Sequence, residues 1–343
     1  MKTLMFLLLS LCIGVGAIAQ DHNEEPYLVK NLNGADIRSV LVQTSGGSIS
    51  VDGGSQTAKV EVYVHGNNPW NISKDEIKER MEKYYDLQIS GENHELKAIA
   101  KNKEAHWFNN HSLNISFKIY VPSKVTTDLT TSGGSIHIAN LDGDQRFVTS
   151  GGSLHVDHIL GKIKGNTSGG SIHVSNSKPE IEMETSGGSI EAENCEGHIR
   201  LTTSGGSLNL NHLRGNIQAE TSGGSIRGGD VSGELNTATS GGSISLTDMA
   251  CSLKASTSGG SVNVQMKKLG NFLRVYADGG HADVELPAGE HADLNVQANR
   301  VSTSNLEHFA GEQTKEKIVG KLNGGGAEVT VRASSGHANI KID

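Results

Sequence analysis

The chain has 343 residues, with 30 Lys and Arg against 38 Asp and Glu, for a formal net charge of −8 at pH 7. It has no basic stripe able to track a phosphate backbone, so nucleic acid is excluded as a partner. Glycine is abundant at 43 residues and aromatics are only 4%, but Ile, Leu and Val recur too regularly for a disordered Gly/Ser linker.

The first twenty residues, MKTLMFLLLSLCIGVGAIAQ, place Lys2 before an apolar run from Leu4 to Ile13 and then Ala17-Ile18-Ala19 as a small-x-small cleavage site. This pattern predicts a secretory signal peptide over residues 1–19. The run is too short to span a bilayer, and no transmembrane segment is expected after cleavage. Cys12 follows Leu11 rather than a small residue, which disfavours lipid attachment. Losing Lys2 leaves 29 basic against 38 acidic residues. The expectation is an exported protein, in the periplasm, on the outer cell surface or outside the cell.

Residues 20–130 predict a β-rich cap carrying one short helix. VLVQTSGGSISVDGG (40–54) and KVEVYVHG read as strands. SKDEIKERMEKYYD (73–86) opens with Ser73 and Glu76 at capping-box spacing and aligns Ile77, Met81 and Tyr84 on one helical face. DLQISGENHELKAIAKN then predicts a hairpin and LNISFKIYVP a further strand.

From Thr131 the sequence becomes periodic. TSGGS opens at Thr131, Thr149, Thr167, Thr185, Thr203, Thr221, Thr239 and Thr257, always 18 residues apart, with one earlier copy at Thr44. A fixed period without slippage means stacked identical units. With each Thr as position 0, position +5 is always aliphatic (Ile136, Leu154, Ile172, Ile190, Leu208, Ile226, Ile244, Val262), and position +7 is mostly so. The polar residue between them marks strand alternation. Positions +14 and +16 define a second strand, position +10 adds a third inward contact, and +12 is glycine in five units, where a corner needs positive φ.

Each unit therefore predicts one coil of a parallel β-solenoid, a β-helix taken as right-handed from the usual hand of parallel crossovers. Eight regular coils over 131–274 would rise about 38 Å at about 4.8 Å each. Beyond them YADGGHADVELP and VRASSGHANIKI read as irregular terminal coils within 275–343. The coil spacing also separates Cys195 from Cys251 by three steps, about 14 Å, too far for a disulfide, so both are expected as small buried apolar groups.

The repeated TSGGSI turns between short strands over 131–274, with VQTSGGSISV before them and GGGAEVTVRASSGHANIKI after, resemble the putative-adhesin family of bacterial secreted proteins. That resemblance implies a β-solenoid at or outside the cell envelope and brings no catalytic motif.

The residues themselves offer one sharp constellation. Position +6 is His137, His155 and His173 in three consecutive coils, a column of imidazoles that could hold Zn²⁺ or Cu²⁺. It ends at Glu191 and has no evident second-shell carboxylate, so a solvated strand face is the stronger reading and no metal or other cofactor is expected. The glycine pairs could form anion-binding nests, but eight in a row point to a structural cause. No G-x-S-x-G elbow is present, and HELKA (94–98) lacks the second histidine of a metalloprotease helix. No catalytic residue is predicted. The expected function is a non-enzymatic structural or adhesin-like module with a cell-surface, matrix or glycan ligand. A carbohydrate-binding or polysaccharide-cleaving β-helix is the alternative.

Overall fold

A computed structural model of the chain describes residues 25–32, 36–66, 72–103, 112–304 and 306–343. The predicted signal peptide lies outside these residues.

The 18-residue period appears directly as strand register. On one side of the rod Leu154 pairs with Ile172, Ile172 with Ile190, Ile190 with Leu208, Leu208 with Ile226 and Ile226 with Ile244, all parallel. On the other side Ile163, Ile181, Ile199, Ile217, Leu235 and Leu253 form the same parallel column. Because each residue meets its own copy one coil away, an apolar position makes an apolar column. Positions +5, +10 and +14 bury their aliphatic side chains between the two sheets, as Ile190, Leu213 and Ile217 do. The parallel β-solenoid of 18-residue coils is thus the fold, and its core is a single thin column.

Where a column breaks pattern, its neighbours compensate. At +16, Phe147 is fully buried against Gly165, and a methyl group on Gly165 would overlap the Phe147 ring and come within 2.8 Å of the Met183 sulfur. The missing side chain in one coil makes room for the ring of the coil before. At +14 of the first coil stands Gln145, buried but satisfied: Thr127 Oγ1 donates to its Oε1 at 2.7 Å, and its Nε2 donates to Val125 O at 2.9 Å.

Two kinds of left-handed residue turn the chain between the strands. Gly143, Gly161, Gly197, Gly215 and Gly233 at +12 have φ between 102° and 148°, as their spacing predicts. Position +9 adds a column that the repeat pattern alone does not single out: Asn140, His158, Asn176, Asn194, His212, Asp230 and Asp248 all have φ between 51° and 60°. Every one is Asn, Asp or His, the side chains that best tolerate this region.

At the amino-terminal end the early TSGGS copy is itself a coil, with Ile49 paired to Ile136 and Val42 to Leu129. Outside it lie Leu113–Tyr120 and Glu95–Asn102, still parallel. Antiparallel strands then cover both: Ala58–Gly66 on the first and Tyr85–Glu92 on the second, with Leu28–Leu32 along the outer edge of Ala58–Gly66. The hairpin turns at Asn93 and His94, both at positive φ.

The helix runs Lys74–Tyr84, and Ser73 caps it by accepting from Glu76 N. It stops short of the predicted residue 86 because Tyr85 is already extended and buried, its hydroxyl accepting from Leu113 N at 2.7 Å. That tertiary bond overrides the local helical pattern.

At the carboxyl-terminal end the step lengthens to 20, with Val262 paired to Ala282 and Leu253 to Leu273. Sequence order and stacking order then diverge. The last strand, Ala327–Ile342, sits directly on the stack, pairing Val329 with Leu273 and Ala338 with Ala282. Ala292–Ser304, earlier in the chain, lies outside it, pairing Leu294 with Val329. Lys317–Leu322 and Phe309–Gln313 finish the end as antiparallel strands. The two degenerate copies are therefore present as turn and strand, but 292–304 encloses the second of them.

Candidate functional site

The TSGGS turns form the longest continuous chemical feature of the molecule. Each Thr Oγ1 donates to the carbonyl of the second glycine one coil back, at 2.7 to 2.8 Å from Thr131 through Thr257. The same oxygen accepts from the second-glycine N–H of its own turn, as Thr203 does from Gly206 N at 3.2 Å. The first glycine donates to the previous coil's serine carbonyl, for example Gly187 N to Ser168 O at 2.9 Å. Serine at +4 accepts from the next coil's backbone, as Ser189 Oγ does from Ser207 N at 3.1 Å.

Both glycine amides are thus spent inside the ladder, leaving no nest for an anion. Thr203→Val keeps shape but removes the donor and orphans Gly206 N–H. It should cost about 1–3 kcal/mol by guanidinium unfolding, while Thr203→Ser should retain most of the stability.

The histidine column is assembled as its spacing predicts. His155 stands in register with His137 on one side and His173 on the other. The His137 and His155 rings lie 6.2 Å apart and tilted, while His173 Nδ1 faces Glu191 Oε2 at 3.3 Å. Partial burial first, then the two neighbouring imidazoles, pull the His155 pKa down. Among the described residues no group of three or more His, Cys, Asp or Glu side chains is placed to hold a metal ion.

Beside the column, Asp157 binds Ser175 Oγ and Asn176 Nδ2, each at 2.7 Å, and faces His158. Desolvation raises its pKa, but these donors outweigh it and bring the carboxyl to about 2. The opposite sheet carries charge ladders, Lys162 to Glu180 at 2.6 Å and Lys164 to Glu182 at 3.0 Å. Such exposed pairs add little to stability.

Cys195 and Cys251 are free and buried. Burial pushes their thiols up to about 11 and about 12, the wrong direction for a nucleophile.

Among the described residues the main cavities lie at the caps. One at the carboxyl-terminal end is an open, charged hollow lined by Glu316, Lys317 and Arg332. A second runs along the charged face of the helix past Glu76, Glu79 and Arg80. A third, of about 630 Å³, lies between the start of Leu28–Leu32, the end of Ala58–Gly66 and the first turns of the helix. Its lining includes Glu25, Tyr27, Tyr63, His65, Lys74, Asp75 and Lys78. No motif in the sequence marks these residues as a group.

Fold and surface together define a thin parallel β-solenoid with antiparallel covers at both ends. Residues 229–342 match the Toastrack DUF4097 family, a domain of unknown function, in keeping with the resemblance that the TSGGSI turns carry. No curated protein matches the chain. Among solved structures it is similar to a putative cell adhesion protein from Clostridium sporogenes (13% identity, 93% of this chain and 100% of that one, TM-score 0.20). It is also similar to putative adhesins from Bacteroides fragilis (12%, 92% and 96%, 0.36) and Parabacteroides distasonis (11%, 92% and 96%, 0.31). Among the described residues no helix is long and apolar enough to cross a membrane.

Proposed function

We propose that the chain is a non-enzymatic, exported β-solenoid serving as a structural or adhesin-like module at the bacterial cell envelope. One observation carries this reading: the repeated turns and strands direct their hydrogen bonds at neighbouring coils, so the conspicuous chemistry of the chain builds a rod. The Toastrack match over 229–342 supports the same reading. So do the two buried thiols, which are unsuited to nucleophilic work. Export rests on the signal-like segment at residues 1–19. A rigid rod of this kind holds its caps away from a surface, where a ligand on a cell, matrix or glycan can meet them.

Two measurements test the reading. Native cells are fractionated, and the protein should appear in the periplasm, on the outer surface or in the medium with residues 1–19 removed; a full-length cytoplasmic protein would overturn export. Beads coated with residues 20–343 are also applied to mucin-coated, fibronectin-coated and bacterial-cell surfaces. Attachment to at least one is expected, and release of product from a polyuronide by the soluble protein would replace the non-enzymatic reading.

A further inference from the structure

The cleft between Leu28–Leu32, Ala58–Gly66 and the helix differs from the other two cavities in combining two tyrosines with balanced charge. The register that pairs Leu28 with Val62 and Val29 with Glu61 sets Tyr27 opposite Tyr63 on the same sheet face, and Tyr27 N donates to Val62 O at 2.8 Å. Side chains opposite one another on neighbouring strands stand about 5 Å apart at Cβ, so the two rings border one slot. Tyr63 is held in place: its hydroxyl donates to Glu61 Oε2 at 2.9 Å, and Lys59 braces the same carboxylate at 2.8 Å. Tyr27 remains 41% exposed, although large apolar bodies at a surface carry a cost that a ligand can relieve.

Opposite the rings, the first turns of the helix bring Lys74, Asp75 and Lys78. Lys74 Nζ meets Glu25 Oε2 at 2.8 Å, with both side chains more than 80% exposed. That pair is cheap to open, and each partner can then bond a ligand hydroxyl. Two carboxylates and two ammonium groups cancel, so an ionic ligand would meet like charge on part of the wall.

Flat rings facing hydrogen-bonding groups of both signs, without net charge, suit a pyranose. Its C–H face packs on an aromatic ring while its hydroxyls both donate and accept.

We infer that this cleft binds a short neutral oligosaccharide, with Tyr27 and Tyr63 as ring platforms and Glu25, Lys74, Asp75 and Lys78 taking its hydroxyls. The inference rests on the adhesin-like reading and supplies its ligand class. The test titrates residues 20–343 with chitotriose, cellotriose, mannotriose and maltotriose, by calorimetry and saturation-transfer NMR.

At least one trisaccharide should bind, and Tyr27→Ala and Tyr63→Ala should each weaken it by about tenfold. Lys162→Ala, on the regular coils and away from the cleft, should bind as the parent does. Failure of all four sugars to bind the parent chain overturns the inference, as does binding unchanged in the folded Tyr27→Ala and Tyr63→Ala variants. The bead assay separates the two readings. If parent beads attach but no trisaccharide binds, the adhesive role stands and the cleft is wrong. If trisaccharide binds but parent beads attach to nothing, the cleft stands and the adhesive role falls.

Discussion

Gly188→Ala should cost about 4 kcal/mol or more, enough to separate adjacent coils, whereas Gly187→Ala one residue earlier should be neutral or slightly stabilising. A Cβ at 188 would overlap the Gly170 carbonyl and come within 2.6 Å of Ser171 N. These are backbone atoms of the adjacent coil, fixed by the hydrogen bonds that hold the stack, so neither can give way locally. A Cβ at 187 meets its nearest atom, Ser168 O, at 3.6 Å, an ordinary contact. Neither glycine has a positive φ. Close approach, rather than backbone freedom, therefore decides position 188, and Gly187→Ala also restricts the unfolded chain. Guanidinium unfolding followed by circular dichroism, on both variants under one condition, checks this. Equal losses would show that the turn is constrained by something other than the spacing between carbonyl and Cβ.

The second large effect lies in the core. Phe147→Ala should cost about 3–5 kcal/mol, because the ring is fully buried in a thin column with few side chains able to move into the space. Gly165→Ala should also destabilise, by about 1–3 kcal/mol, since its methyl enters the space held by the Phe147 ring and the Met183 sulfur. The two sites are in register, so their effects should not add. In Phe147→Leu/Gly165→Ala the smaller side chain makes room for the methyl, and the pair should lose less than the sum of the single changes. Strict additivity in this double-mutant cycle would mean that the ring and the glycine do not share a space.

Much of this architecture is legible because the repeat keeps one length from Thr131 to Thr257. Once Thr131 and its copies fall 18 residues apart, the register, the inward columns and the glycine corners at +12 follow from strand geometry alone. The left-handed corner at +9 is equally available in Asn140, His158, Asn176, Asn194, His212, Asp230 and Asp248. It is easy to pass over, because an outward polar residue looks like any solvated position unless its restricted chemistry is noticed.

The caps are less legible for a different reason. Nothing local says that Ala282–Leu286 will pair with Val262 on one side and, on the other, with Ala338, 56 residues beyond Ala282, since both flanking runs are short alternating strands after a glycine turn. Tyr27 and Tyr63 likewise meet only through an antiparallel register that no spacing announces. The histidine column is placed correctly along the rod by its period, but spacing alone does not make three stacked rings converge on one point.

The interleaved end has a mechanical consequence. A rod under tension at its carboxyl terminus transmits the load to Ala327–Ile342, which is bonded to Val262–Ala277 and Ala282–Leu286 on one edge and to Ala292–Ser304 on the other. Force directed along that strand must shear both ladders together, instead of unzipping one bond at a time from an outer edge. Pulled along its own direction, this strand would hold better than an outer strand bonded through one ladder.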